Sequence, residues 1–207
     1  MAEPLITIVT PTWHRHDRLL NRCVPSVDSQ TYPAIEHIVV SDGPDPELAE
    51  HFFPPRVGPT LKRWFASLPE HEQDLHWGHL ARLHGLELAT GELIGYLDDD
   101  DAFRPEHCAL LAAALADHSE AGFAYSLMAS HQPDKMVIIG AGPPAAGNIG
   151  TPMILHRREI LKQGTWTEAS AFEDWDLVNS WLHADIKYVQ VDEVTIDVYP
   201  SVYGPGG

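Results

Sequence analysis

The chain has 207 residues, with 13 Lys and Arg against 30 Asp and Glu and a formal net charge of −17. At roughly 100–200 residues per domain, this length predicts a single domain over residues 1–207. An apolar fraction of 44% with six each of Trp, Tyr and Phe supports a packed core, which excludes disorder, collagen and coiled coil as the main architecture. A surface this acidic repels phosphate polymers and anionic lipid, so nucleic acid is excluded as a partner. The start, MAEPLITIVTPT, lacks the basic region of a signal peptide. No stretch approaches the ~20 apolar residues of a membrane span, so no integral membrane segment is expected. Cys23 and Cys108 stand far apart in helix-like contexts. They read as buried free thiols in a reducing compartment, which makes the cytoplasm the default location.

LITIVT (5–10) is a β-branched run that reads as a buried strand ended by Pro11. Residues 17–30 follow as a helix, with Leu19, Leu20, Cys23, Val24 and Val27 on one face and Pro25 disturbing its regularity. IEHIVVSDG (35–43) is a second strand that stops at Asp42-Gly43. The six prolines of 43–78 predict loops and short helices there. GHLARLHGLELAT (78–90) is a helix with Leu80, Leu83, Leu86 and Glu87 at helical spacing, closed by Gly91. ELIGYLDDDD (92–101) is a strand running into four aspartates, and Pro105 opens a helix over 105–118. GFAYSLMAS and KMVIIG form a strand pair, and 142–150 is a Gly- and Pro-rich loop. EDWDLVNSWLHA (173–184) is a helix, KYVQVDEVTIDVYP supplies closing strands, and the terminal Pro-Gly-Gly is expected to fray. Strands alternating with helices at short spacing imply parallel β-α-β units. The fold expected is an α/β sandwich, a mostly parallel central sheet flanked by helices in the Rossmann-like manner.

Asp98-Asp99-Asp100-Asp101 ends an apolar strand, and strand carboxyl ends in open α/β sheets are where ligands bind. Four adjacent carboxylates repel one another. A divalent cation such as Mg²⁺ or Mn²⁺ relieves that cost through hard oxygen ligands, although a solvated acidic turn would give the same pattern. Asp42 closes the second strand on the same edge, and Trp13 follows the first, where an indole can either pack or stack on a base. Glu173 and Asp174 open a helix: acids there serve the helix dipole, or one of them serves as a general base. The 13 histidines include no HExxH pair and no Cys/His ligand set, so they read as surface and loop residues and no zinc site is expected. GxSxG, P-loop and GxGxxG signatures are absent from the sequence as well.

TIVTPTWHRHDRLLNRCVPSVDSQTYPAIEHIVVSDGPD, ARLHGLELATGELIGYLDDDDAFRPEH and FEDWDL together resemble the family 2 glycosyltransferases, inverting enzymes with the GT-A fold and a DxD metal motif. The likeness is dense over about 5–110 and returns near 148–184. It implies a single GT-A-type domain whose first half, about 1–101, binds a nucleotide sugar and whose second, about 102–200, binds the acceptor. It implies that Trp13 stacks on the donor base beside Pro11 and Thr12, that Asp42 contacts the nucleoside and that Asp99 approaches the ribose. Asp100 would ligate the metal, Mn²⁺ or Mg²⁺, with Asp98 behind it, and the register within the run stays open by one position. Asp174 would be the base, with Glu173 as the alternative. The sequence departs from the family where it reads ARLHG, with Leu83 in place of the usual Asn of ARNxG and His84 after it, and where Ser41 replaces the first acid of DDG.

The implied activity is transfer of a sugar from a nucleoside-diphosphate sugar, a UDP-sugar in the first instance, to an acceptor hydroxyl with inversion. Two other readings share the fold class: a noncatalytic nucleotide-sugar-binding protein and a sugar-1-phosphate nucleotidyltransferase. The second expects a Gly-rich loop after the first strand, where this chain reads TPTWHRH. Oligomeric state is not legible in the sequence.

Overall fold

A computed structural model describes residues 3–58, 60–70, 78–167 and 173–200. Strand β1 (Ile6–Thr12) lies parallel to β2 (Ile35–Ser41), from Ile6↔Ile35 through Thr12↔Ser41. Between them run α1 (His16–Arg18), a π-helical segment (Leu19–Cys23) and α2 (Val24–Asp28). After β2 come α3 (Pro46–His51), the short β3 (Arg56–Val57) and β4 (Leu61–Ser67). Helix α4 (His79–Leu88) leads into β5 (Leu93–Tyr96), and the short β6 (Ala102–Phe103) precedes α5 (His107–Asp117). A hairpin of β7 (Ala121–Gln132) and β8 (Lys135–Ile139) follows, then β9 (Ile154–Arg157), α6 (Glu173–His183) and β10 (Lys187–Val198).

The strands form one sheet in the order β3-β4-β2-β1-β5-β9-β7-β10-β6, with β8 beside β7. Its long pairings, β4 with β2, β2 with β1, and β7 with β10, are parallel, while β9 enters antiparallel between β5 and β7. This is the mixed, mostly parallel sheet with flanking helices that the sequence predicts. Every residue of β1 and β2 is buried, as expected for central strands covered on both faces. Among the described residues no helix is long and apolar enough to cross a membrane. Cys23 and Cys108 are buried and unpaired, and the frayed end expected at Pro205–Gly207 lies outside the described residues.

Several boundaries differ from the sequence reading for definite reasons. β1 continues through Pro11 to Thr12 because β5 pairs only with Ile6–Val9, so the missing proline N–H falls where a neighbour has already ended. In the first helix the irregularity sits at Leu19–Cys23, where the Val24 N–H reaches back to the Leu19 carbonyl, and Pro25, lacking an N–H, follows directly. The segment read as loops contains β4, a full seven-residue strand parallel to β2. On α4 the buried positions are His79, Ala81, Arg82 and Gly85, not the leucines. Gly91 does not cap that helix, which ends at Ala89. Its N–H donates to Thr7 Oγ1, and a Cβ there would stand 2.6 Å from the Thr7 nitrogen.

Candidate active site

The parallel register brings three chain segments to one edge of the sheet. Thr12 ends β1, and its carbonyl accepts the Asp42 N–H at 2.9 Å just beyond β2. Gly43 then turns the chain with φ 120°, a conformation that side chains rarely adopt. Beyond β5 the aspartate run forms a turn closed by the Asp101 N–H on the Asp98 carbonyl, 3.2 Å. Asp99, Asp100 and Asp101 are buried. Pro11 is buried as well, close beneath Gly78 at the start of α4. Thr12 spends its hydroxyl on Asp99 Oδ2 at 2.7 Å. Trp13 is half-buried, its ring 3.9 Å from that of His14.

The charge that offsets this acidic run comes from arginines the sequence reading did not single out. Arg15 pairs with Asp99 at 3.0 Å and with Asp100 at 3.1 Å, and Arg18 also reaches Asp100 at 3.1 Å. Arg22 donates to the Asp100 carbonyl at 2.6 Å and lies 3.9 Å over the Tyr199 ring. Guanidinium groups thus share in the compensation that the sequence reading assigned to a cation. Arg15 precedes α1 with a non-helical backbone and Arg22 lies in the π-helical segment, so regular helical spacing does not single the three out in the sequence. Burial still pushes the Asp99 carboxyl up to about 6, against the Thr12 hydroxyl and Arg15. Burial and the neighbouring Asp98 push Asp101 up to about 8.

Arg82 joins the acidic run to the distant acidic helix. Its side chain is 4% exposed, donating to Asp98 Oδ1 and to Glu173 Oε1, each at 2.7 Å, with Trp166 beneath it at 4.9 Å. Burial works against its charge, but Asp98, Glu173 and Asp174 together hold the guanidinium firmly protonated. Asp174, beside Glu173 in the first turn of α6, accepts the Thr151 hydroxyl. Burial raises the carboxyl pKa of both acids, with Arg82 opposing in each case. Helix α6 is seated by Trp181, which is fully buried against Phe123 and His156 and donates its indole Nε1–H to the Gly164 carbonyl at 2.9 Å. The carboxylate at the start of the helix is therefore set by core packing at its far end.

A mostly parallel sheet with acids beyond two strand ends, Asp42 after β2 and Asp98–Asp101 after β5, met by a partly buried acidic helix start, defines the class to which the chain belongs. The family model for glycosyl transferase family 2 matches residues 7–135, and the chain belongs to that family. Among curated relatives, EpsH of Bacillus subtilis (strain 168) is 25% identical over 123 residues, 58% of this chain and 33% of EpsH. The uncharacterized glycosyltransferase YibD of Escherichia coli (strain K12) is 26% identical over 117 residues, 54% of this chain and 31% of YibD. The chain thus spans about a third of the length of these relatives. Among solved structures, S. aureus TarS 1-349 in complex with UDP-GlcNAc superimposes with a TM-score of 0.72 at 18% identity, covering 97% of this chain and 60% of that one. Mannosyltransferase PcManGT from Pyrobaculum calidifontis, in complex with GDP-Man and Mn²⁺, gives 0.70 at 16% identity, covering 100% and 59%. Both likenesses establish the GT-A type of fold.

Proposed function

We propose that this chain transfers a sugar from a nucleoside-diphosphate sugar to an acceptor hydroxyl, inverting the anomeric centre, with Mn²⁺ or Mg²⁺ on the donor diphosphate. The observation that carries the proposal is Arg82, which ties the strand-end aspartates to the acidic start of α6 across 91 positions of sequence. Donor-side and acceptor-side acids thereby share one edge. The solved complexes of TarS with UDP-GlcNAc and of PcManGT with GDP-Man and Mn²⁺ support a nucleotide-sugar donor and a divalent cation. A UDP-sugar is the donor we favour. In this reading about 1–101 binds the donor and about 102–200 faces the acceptor. Two buried, unpaired thiols are in keeping with a cytoplasmic setting.

The oxygen donors of the aspartate run suit a hard cation. Asp100 would hold it, with Asp98 steadied behind by Arg82. Arg15 and Arg18, each about one-quarter exposed, can turn from Asp100 towards phosphate oxygens. When bound, the cation acts as a Lewis acid on the leaving diphosphate. Trp13 stacks on the base, Asp42 meets the nucleoside and Asp99, held by Thr12, faces the ribose. Asp174 removes the acceptor's proton. Its burial raises its basicity, and Glu173 beside it is engaged by Arg82, which favours Asp174 for that task.

Nucleoside diphosphate release from UDP- and GDP-sugars, measured with Mn²⁺, Mg²⁺ or chelator over an acceptor panel, tests the reaction. Asp174→Asn is expected to keep donor affinity and lose turnover ~10²-fold or more. Turnover lost in Glu173→Gln but kept in Asp174→Asn would move the base to Glu173. If neither variant loses turnover, the acids only cap the helix.

A further inference from the structure

The structure gathers His14 and His16 at the start of α1 and Asp45 at the start of α3 beside the site, from segments that no sequence motif connects. One ligand atom from each lies within 4.8 Å of the other two. His16 Nε2 stands 2.6 Å from Asp45 Oδ2, and His16 Nδ1 stands 3.4 Å from Glu47. Asp45 is buried and immobilised, because its Oδ1 accepts the Leu48 N–H at 3.0 Å at the start of α3. His14 is exposed and held at φ 51°, a left-handed backbone that costs a non-glycine residue energy.

We propose that His14, His16 and Asp45 form a binding site for a divalent transition-metal ion such as Zn²⁺, separate from the strand-end aspartates. Two imidazoles and one carboxylate select zinc-like ions, whereas Mg²⁺ and Mn²⁺ prefer the all-oxygen set of the aspartate run. With metal–ligand bonds of about 2.0–2.1 Å, tetrahedral ligands stand ~3.3 Å apart, so closing the site needs a small rotation of the exposed His14 ring. Glu47 completes the arrangement. A carboxylate on Nδ1–H orients a ligating imidazole and presents Nε2 to the ion, which replaces the proton held between Nε2 and Asp45. The bound ion would pin the loop after β1 to the loop after β2, next to Trp13. This inference does not depend on the glycosyl-transfer reading, and it runs against the expectation from sequence that the histidines hold no zinc.

The test is calorimetric titration of the untagged chain with zinc sulfate in excess Mg²⁺, which saturates oxygen-donor sites, with cobalt(II) absorption as a second readout of coordination. One equivalent is expected to bind the wild type, giving a tetrahedral cobalt band. His14→Ala and His16→Gln should each weaken it at least 10-fold and abolish the band, while Glu47→Gln weakens it about 10-fold. His84→Ala, which removes an exposed histidine on α4, should change nothing. Wild-type protein that takes up no stoichiometric zinc overturns the proposal. So does an equivalent that survives in His14→Ala, an exposed position, with circular dichroism run alongside to check that the variant is folded.

Discussion

Arg82 is the side chain on which both acidic segments depend. A planar guanidinium donates to Asp98 and Glu173 at once, a geometry that an ammonium cannot reproduce. Removing it leaves the mostly buried Glu173 carboxylate without its partner. Arg82→Ala should therefore lower stability by on the order of 3 kcal/mol, read from urea denaturation, and Arg82→Lys should recover only part of it. Trp13 makes the contrasting case. It is only half-buried, so Trp13→Ala should leave stability nearly unchanged. If a base stacks on the indole, UDP binding should weaken by about 1–3 kcal/mol by calorimetry. Unchanged affinity in the folded variant would remove Trp13 from the donor site.

The elements follow local pattern where burial is uniform and escape it where a charged side chain takes a core position. β1 and β2 are legible because they are β-branched runs buried throughout. β4 is not, because LKRWFAS buries Arg63, which bonds the His37 ring at 3.0 Å and Asp28 at 2.6 Å. An arginine facing inward erases the alternation by which a strand is recognised. On α4 the leucine spacing gives only part of the buried face, because Leu83 and Leu86 pack against the core without being fully buried. What the helix presents to β1 and β2 is the small pair Ala81 and Gly85, and a Cβ on Gly85 would lie 2.4 Å from Val9 Cγ1. Gly85→Ala should therefore destabilise, as overpacking of about 1–3 kcal/mol exceeds the ~1 kcal/mol that alanine gains in helix propensity. A denaturation midpoint at or above the wild type would show that α4 can shift outward.

For the whole molecule, buried titratable groups set the response to pH. His107 and His156 are fully enclosed, and burial lowers them to about 3 and about 4. Burial, with Arg63 nearby, also holds His37 well below the usual range. These imidazoles stay neutral in the folded chain and charge only on unfolding. Their contribution is complete above the unfolded pKa of ~6.5 and is lost as pH falls towards the folded values. Asp99 and Asp101 act in the opposite direction. Their carboxyls are raised to about 6 and about 8, so the stability they lend is present below an unfolded pKa of about 3.9 and lost as pH rises. A difference experiment separates the two. Relative to His107→Gln, which cannot charge, the wild type should lose up to ~1.4 kcal/mol per pH unit below pH ~6.5. A difference that stays flat between pH 7 and 5 would mean that His107 titrates normally.

The sequence by itself determined the α/β class, the positions of the main strands and helices, and the acidic segments that follow β2 and β5 and open α6. These depend on short-range features: β-branched runs, breakers such as Asp42-Gly43, and acids placed where strands stop. Only the tertiary structure decided which charges answer one another. Thr12 meets Asp99 across 87 positions and Arg82 meets Glu173 across 91. The identity of the groups that neutralise the aspartate run, four of the chain's 13 basic side chains, was invisible for the same reason. The cluster of His14, His16 and Asp45 likewise exists only because β1 and β2 pair in register and bring their following loops together. Backbone pattern is written locally, whereas a charge pair depends on distance through space, and that distance is set by sheet register and helix packing.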